Sequence, residues 1–431
     1  MSRHGALATG GAFAVALCGA AFAAAVIGCV APAVAPPAVV APARGDHDIA
    51  GVVPRLAAVI RAWNTSRDVL RGRLVDDLAA AGVEVVEGGR GLRAGLPTAR
   101  LALVVRLGDV ESCADREAGV VGGEPLRVLG CGAQGLAGLA LFLTAAAALP
   151  SAPVVVVAGE DDSDIDALLP PTVEHVWVAE GTFTAGDAGS VLDVVLVDPG
   201  WLDVALRVSP PDVDRLLAAT GRVVTWAPPP RLPVVIADRL ALLPAEGPLG
   251  LLRADARTLA NDPDRRAFVV DRCGLVDFPA PRDMASSPAR LRCRVLPGRA
   301  LTSARDDIVR AVDDPSVVVD VERAGDASAT IWDAPVARAL RAHTTTTTTT
   351  TAMSTTARPT IVAPTMSTAP GPSACAPLRR RGLACVGAVP VLTHPAQRAR
   401  RGARDDAVDV FALVAGARLV LAVVEDVLGG R

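Results

Sequence analysis

Two short stretches and one lone carboxylate hold the residue types that could do chemistry. Gly130-Cys131-Gly132-Ala133-Gln134-Gly135 is a glycine turn, and Glu160-Asp161-Asp162 is an acidic triplet. Asp109 follows Leu107 by two residues. Carboxylates at the end of an apolar run can act as general bases or metal ligands, and a glycine turn that opens a helix can hold a phosphate. These residues need positioning elements. Leu101–Arg106 and Pro153–Ala158 read as buried strands, and the smooth apolar run 136–149 reads as a helix. Strand, turn, helix and strand alternate as far as Val197, which argues a largely parallel α/β sheet.

The glycines satisfy G-x-G-x-x-G, and Glu160 or Asp161 ends the next strand at about the distance of a ribose-binding carboxylate. That is a dinucleotide-binding reading. Two features count against it. The strand before the turn, residues 126–129, is short and carries Arg127, where a buried parallel strand should be a continuous apolar run. The chain also has 39 Gly, so chance matches are expected.

The 431 residues suffice for two or three domains with real cores. With 51% hydrophobic residues and a net charge of −3, the chain is neither disordered in bulk nor built for nucleic acid. Every basic residue other than His is Arg, Tyr is absent, and aromatics make up 3%, so the cores must be filled with Val, Leu and Ala. The eight Cys include no C-x-x-C pair. Six of them fall two per region, which permits disulfides in an oxidising compartment, or buried small hydrophobes.

Residues 1–44 combine a basic start, an apolar run over 11–31 and a proline-rich spacer, which reads as a signal peptide or signal anchor. The chain is therefore expected to be membrane-anchored or secreted, with the N-terminal segment as its membrane contact. Asn64-Thr65-Ser66 is a glycosylation sequon usable only in a secretory lumen. Residues 45–200 form the first part of the sheet domain. Residues 201–323 form a compact α+β insert, with strands expected at 201–208, 222–226, 233–236, 289–295 and 317–321. Residues 324–431 return to the sheet domain around a Thr-rich loop, 344–372.

In this order of parts, the chain resembles the zinc-dependent aminoacylase and carboxypeptidase family, most nearly its carboxypeptidase S and N-fatty-acyl-amino-acid synthase/hydrolase branch. The resemblance runs from about residue 50 to 428. It implies an α/β fold, with a zinc-exopeptidase-like catalytic sheet domain and an inserted α+β lid, or dimerisation, domain. Leu107-Gly108-Asp109 matches a His-x-Asp strand end, and the glycine turn matches the one that leads to a metal-bridging Asp at Gly135. Asp161 and Asp162 match the general base and a ligand. Ala179-Glu180-Gly181 matches Asp-Glu-Gly, and Arg401-Gly402 matches the closing His-Gly. Arg294-Val295-Leu296-Pro297-Gly298 matches a lid strand that ends in Pro-Gly.

The family's zinc pair needs imidazoles and carboxylates around two ions about 3.5–4 Å apart. Here Leu107, Gly135, Ala179 and Arg401 stand at lost ligand positions. Asp109 and Asp161 keep matching catalytic positions, and Asp162 stays acidic at a ligand position. Of the five His, namely His4, His47, His175, His343 and His394, His175 lies four residues before Ala179 and His394 seven residues before Arg401. The resemblance with these losses implies an inactive member that holds no cofactor. Its expected partners are a peptide or N-acyl amino acid in the relic cleft and a second copy through the lid. Two alternatives are an active hydrolase with a rebuilt site and the dinucleotide-binding protein. Arg401 is expected to fill the emptied cavity beside the remaining carboxylates, since buried charges need partners.

Overall fold

The structure, a computed structural model, describes residues 51–88, 91–107, 119–123, 125–149, 153–158, 162–186, 189–242, 255–262, 265–283, 287–344, 360–367, 373–401 and 406–429. The expected leader and most of the Thr-rich loop lie outside these residues, as do Asp109, Asp161 and Gly402. Among the described residues no helix is long and apolar enough to cross a membrane.

Helix α1 (Val52–Thr65) buries Leu56, Val59, Ile60 and Trp63 at helical spacing. Ser66 then caps α2 (Arg67–Ala80), its hydroxyl accepting the Val69 N–H at 3.1 Å. A hairpin of β1 (Val85–Gly88) and β2 (Gly91–Ala94) leads to β3 (Leu101–Arg106). Next come β4 (Val120–Gly122), β5 (Arg127–Leu129), α3 (Ala133–Ala148) and β6 (Pro153–Ala158). Helix α4 (Asp162–Leu168), β7 (His175–Val178), β8 (Phe183–Gly186) and β9 (Gly189–Asp198) complete the first half.

Asp198-Pro199-Gly200 carries the chain from β9 straight into β10 (Gly200–Val208), which belongs to another sheet. Helices α5 (Val213–Thr225), α6 (Val234–Leu242) and α7 (Ala256–Ala260) precede β11 (Arg272–Asp277) and β12 (Ala289–Val295). Helix α8 (Leu301–Val312) and β13 (Val317–Gly325) close this part. The chain re-enters the first sheet through β14 (Ser328–Ala329), which pairs with the end of β9. Then follow α9 (Pro335–Thr344), β15 (Thr360–Met366), α10 (Cys375–Arg380), β16 (Ala384–Gly387) and β17 (Leu392–Thr393). Helix α11 (Pro395–Arg398), β18 (Ala407–Asp409) and α12 (Val410–Gly429) end the described chain.

The large sheet runs β1-β2-β6-β3-β7-β16-β9-β8-β17, with β14 and β15 also on β9. Its centre, β6-β3-β7-β16, is parallel. These strands are apolar throughout because both faces are covered. Leu101, Leu103, Val105, Val155 and Val157 face α1, α3 and α12, whereas Ala102, Val104, Val154 and Val156 face α4 and α10. The second sheet, β11-β12-β10-β13, is antiparallel and packs one face on α5 and α8. The fold is thus an α/β sheet domain carrying an inserted α+β lid.

Of the residues expected as strands, 222–225 and 234–236 are helical rather than extended. Their β-branched runs suggest strands, but Leu216, Ala219, Thr220 and Val223 repeat at helical spacing and face the lid sheet. The outward Leu217 and Val224 are 57% and 41% exposed, so only one face of this stretch is buried. Residues 382–391 divide into β16 and the approach to β17, and 407–409 form β18 before α12 begins. Two disulfides close local loops. Cys273–Cys293 links facing residues of β11 and β12, and Cys375–Cys385 joins α10 to β16 across 10 residues. Replacing both Cys375 and Cys385 by Ala is expected to cost about 2.5 kcal/mol from loop-closure entropy alone. Urea unfolding under non-reducing conditions measures this, and an unchanged midpoint would contradict it.

Candidate functional site

Leu107, Ala179 and Asp162 follow the carboxyl ends of β3, β7 and β6, where open α/β sheets place their ligands. Just beyond β3, the Leu107 N–H donates to Ala158 O at the end of β6, at 3.0 Å. Just beyond β7, the Ala179 N–H donates to Val104 O at 2.9 Å. Asp162 opens α4, directly after β6. Gly135 lies in the first turn of α3, whose next turn packs on the same place. A Cβ added to Gly138 would lie 2.6 Å from the Ala179 Cβ.

Leu107 and Ala179 are half-buried and pack against the main apolar core. Neither side chain has an atom that binds a cation, and Gly135 has no side chain. Among the described residues no group of three or more His, Cys, Asp or Glu could hold a metal ion. The described residues therefore do not fit a zinc pair. Glu180 turns elsewhere and accepts the Ala374 N–H at 3.1 Å.

Arg401 departs from expectation. It follows α11, its N–H donates to Arg398 O at 3.2 Å, and it is exposed rather than filling a cavity. An arginine on a short, polar surface turn keeps its charge in water instead of paying desolvation. His175 is no substitute ligand, because it sits at the amino end of β7, opposite the site. Burial holds its imidazole below the ordinary range, partly offset by Glu174. His343 is beside Asp426 at 3.2 Å, far in the chain from every matched position. Asp212, in the lid, caps α5 by accepting the Arg215 N–H at 3.1 Å.

The glycine turn has a structural explanation. Gly130 and Gly132 have φ of 145° and 81°, a region that favours glycine. A Cβ on Gly130 would come within 2.9 Å of Ile60 Cγ2. Strand β5, before the turn, belongs to the small antiparallel sheet β18-β5-β4, so no parallel βαβ unit surrounds it. The amino end of α3 already faces an acid. Asp406, 0% exposed, accepts from the Gln134 N–H at 3.3 Å and from Gln134 Nε2 at 2.7 Å. A pyrophosphate would meet that carboxylate where a dinucleotide fold offers free N–H groups. The dinucleotide reading fails on this geometry.

Gln134 also donates to Gln397 O at 2.7 Å, tying α3 to α11 across 263 residues. Neither Gln134 nor Asp406 was singled out for a role of its own. An Asp in an Arg-rich stretch and a Gln inside a glycine turn were the available signals.

Where the two sheets join, a buried cation organises the crossing strands. Arg379 Nε donates to Thr330 Oγ1 at 2.9 Å, and Nη2 donates to Val195 O and Cys385 O at 3.0 and 2.9 Å. Nη1 pairs with Asp198, and both side chains are 1% exposed. Burial lowers the Arg379 pKa, while Asp198 and Glu180 raise it. Arg294, on β12, reaches Ser367 O just beyond β15 at 2.8 Å. Burial brings its pKa down to about 10, against the pull of Asp271, so it stays charged at neutral pH.

Comparison with solved structures agrees with this architecture. The M20 family metallo-carboxypeptidase Sso-CP2 from Sulfolobus solfataricus superposes with a TM-score of 0.57 at 12% identity, covering 89% of this chain and 99% of that one. The fold is that of the M20 peptidases. Human carnosine dipeptidase 1 gives 0.55 at 12% identity over 88% of this chain and 97% of that one. The di-peptidase Dug1p from Saccharomyces cerevisiae gives 0.54 at 12% identity over 89% and 99%. No protein-family model matches the sequence, and no curated protein matches it significantly. The M20 likeness is therefore one of fold, carried by the order of strands and by the inserted lid.

Proposed function

We propose that this chain is an M20-fold protein that does not hydrolyse amide bonds and acts by binding through the cleft between its sheet domain and lid. The carrying observation is the merger of Leu107 and Ala179 into the apolar core at the strand ends, with the side-chain-free Gly135 beside them. An M20-type hydrolase needs oxygen and nitrogen donors there to hold its ions and to activate water.

The cleft's ligand on this reading is a peptide or an N-acyl amino acid, the substrate type of the resembling enzymes, and the lid is the surface for a second copy. Cys131, Cys273, Cys293, Cys375 and Cys385 are all disulfide-bonded, which supports a secreted or membrane-anchored protein. The test is an amidase assay of the full chain on dipeptides and N-acetyl amino acids with zinc in excess. The expected result is no turnover above buffer. Chelator-sensitive hydrolysis would overturn the proposal and favour a rebuilt active site.

A further inference from the structure

A second pocket lies away from the strand ends, where α11 meets the small β18-β5-β4 sheet. It has a volume of about 220 Å³ and is lined by Arg127, His394, Ala396, Gln397, Arg400 and Ala407. Drug-sized ligands occupy pockets of about 300–1,000 Å³, so this one suits a smaller molecule. Among the described residues, two arginines and an imidazole line it, with no carboxylate.

The decisive feature is Gln397. Its side chain belongs to a residue only 8% exposed, and its Oε1 accepts the His394 N–H at 2.9 Å. That bond fixes the amide orientation, because a flipped amide would set N–H against N–H. Its Nε2 is then a buried donor without an acceptor, on the wall of the pocket. Arg127 Nε is a second buried donor without an acceptor on the same wall.

The described acids nearby, Asp409 and Asp406, each accept another hydrogen bond. Asp409, opposite Arg127 in the β5–β18 ladder, accepts the Phe411 N–H at 2.9 Å. Asp406 accepts from Gln134. Buried polar groups in folded proteins are nearly always satisfied, so two orphaned donors beside positive charge call for an acceptor carried in by a ligand.

We propose that this pocket binds a small oxyanion, a carboxylate or a phosphate, with Gln397 Nε2 and the Arg127 guanidinium as its direct donors. Arg400 and His394 stand at the rim, where both are exposed. They supply charge and a further N–H. The site does not depend on the cleft's lost chemistry, since a zinc-loaded, active chain would present the same donors.

The test titrates the full chain with inorganic phosphate and, separately, with acetate, by calorimetry and thermal unfolding. Ionic strength is held constant with chloride. Saturable binding of at least one of the two is expected, and the tighter binder identifies the natural class as phosphate or carboxylate. Gln397→Glu keeps the size of the side chain and the acceptor for His394 but replaces the donor with a negative charge. It is expected to weaken binding at least tenfold. Should that variant lose its cooperative melt, Arg127→Gln carries the same expectation. Absence of saturable binding by both anions, or undiminished binding by the folded variant, would overturn the proposal. Either outcome leaves the amidase result untouched, so the two readings fail separately.

Discussion

Arg379→Ala is expected to destabilise the protein by about 3–5 kcal/mol, the usual effect of leaving one member of a buried ion pair alone. Asp198 would be left at 1% exposure without its counter-ion. Thr330 Oγ1, Val195 O and Cys385 O would lose their guanidinium donor at the same time. The arginine sits where β9 leaves the large sheet for the lid and β14 comes back, so the loss falls on the lid's attachment. Arg379→Lys is expected to recover little, because one ammonium cannot span acceptors arranged around a planar fork. Urea unfolding measures both variants. A loss below about 1 kcal/mol for the alanine variant would show that the pair is not buried as described.

Trp177→Ala is expected to cost a similar amount, about 3–5 kcal/mol, through lost burial and the cavity left behind. Trp177 lies on β7 in the middle of the large sheet and is 0% exposed. Its ring meets Phe142 of α3 edge-on, with centroids 5.4 Å apart, and its Nε1 donates to Ala388 O at 3.0 Å. It therefore joins the strand that ends at Ala179 to the helix that carries Gly135. Trp177→Phe keeps most of the apolar contact but drops the hydrogen bond, and is expected to lose clearly less than the alanine variant. Equal losses for the two would place the stabilisation in the hydrogen bond rather than the packing.

The sheet domain was legible in the sequence because its central strands are buried on both faces. Leu101–Arg106 and Pro153–Ala158 could hardly be anything else, being continuous apolar runs of strand length. The β-branched runs Val223-Val224 and Val234-Val235-Ile236 have strand-like composition yet are helical. Packing of α5 on the lid sheet and of α6 on β15 outweighs that local preference, as tertiary context commonly does. The short strands β5 and β18 could not be paired in advance, since Arg127 and Asp409 are brought together only by the closing of the whole chain.

The candidate site was legible only in part. The order of motifs singled out Leu107 and Ala179, which follow the carboxyl ends of β3 and β7, and Gly135, which lies in the first turn of α3. Arg401 did not follow, because nothing in a run of arginines distinguishes a buried one from a solvated one. The pocket around Gln397 was not legible at all. Its wall comes from β5, α11 and β18, and the meaning of an amide depends on which of its atoms is left unpaired.

The central claim is that the protein keeps the peptidase scaffold while the atoms that would hold its metal ions are gone. The most direct measurement is the metal content of the purified full chain after equilibration with excess zinc and desalting, read by elemental mass spectrometry. The account predicts substoichiometric zinc, no greater than in a Leu107→Ala variant. A stoichiometric pair of zinc ions retained by the chain would contradict it.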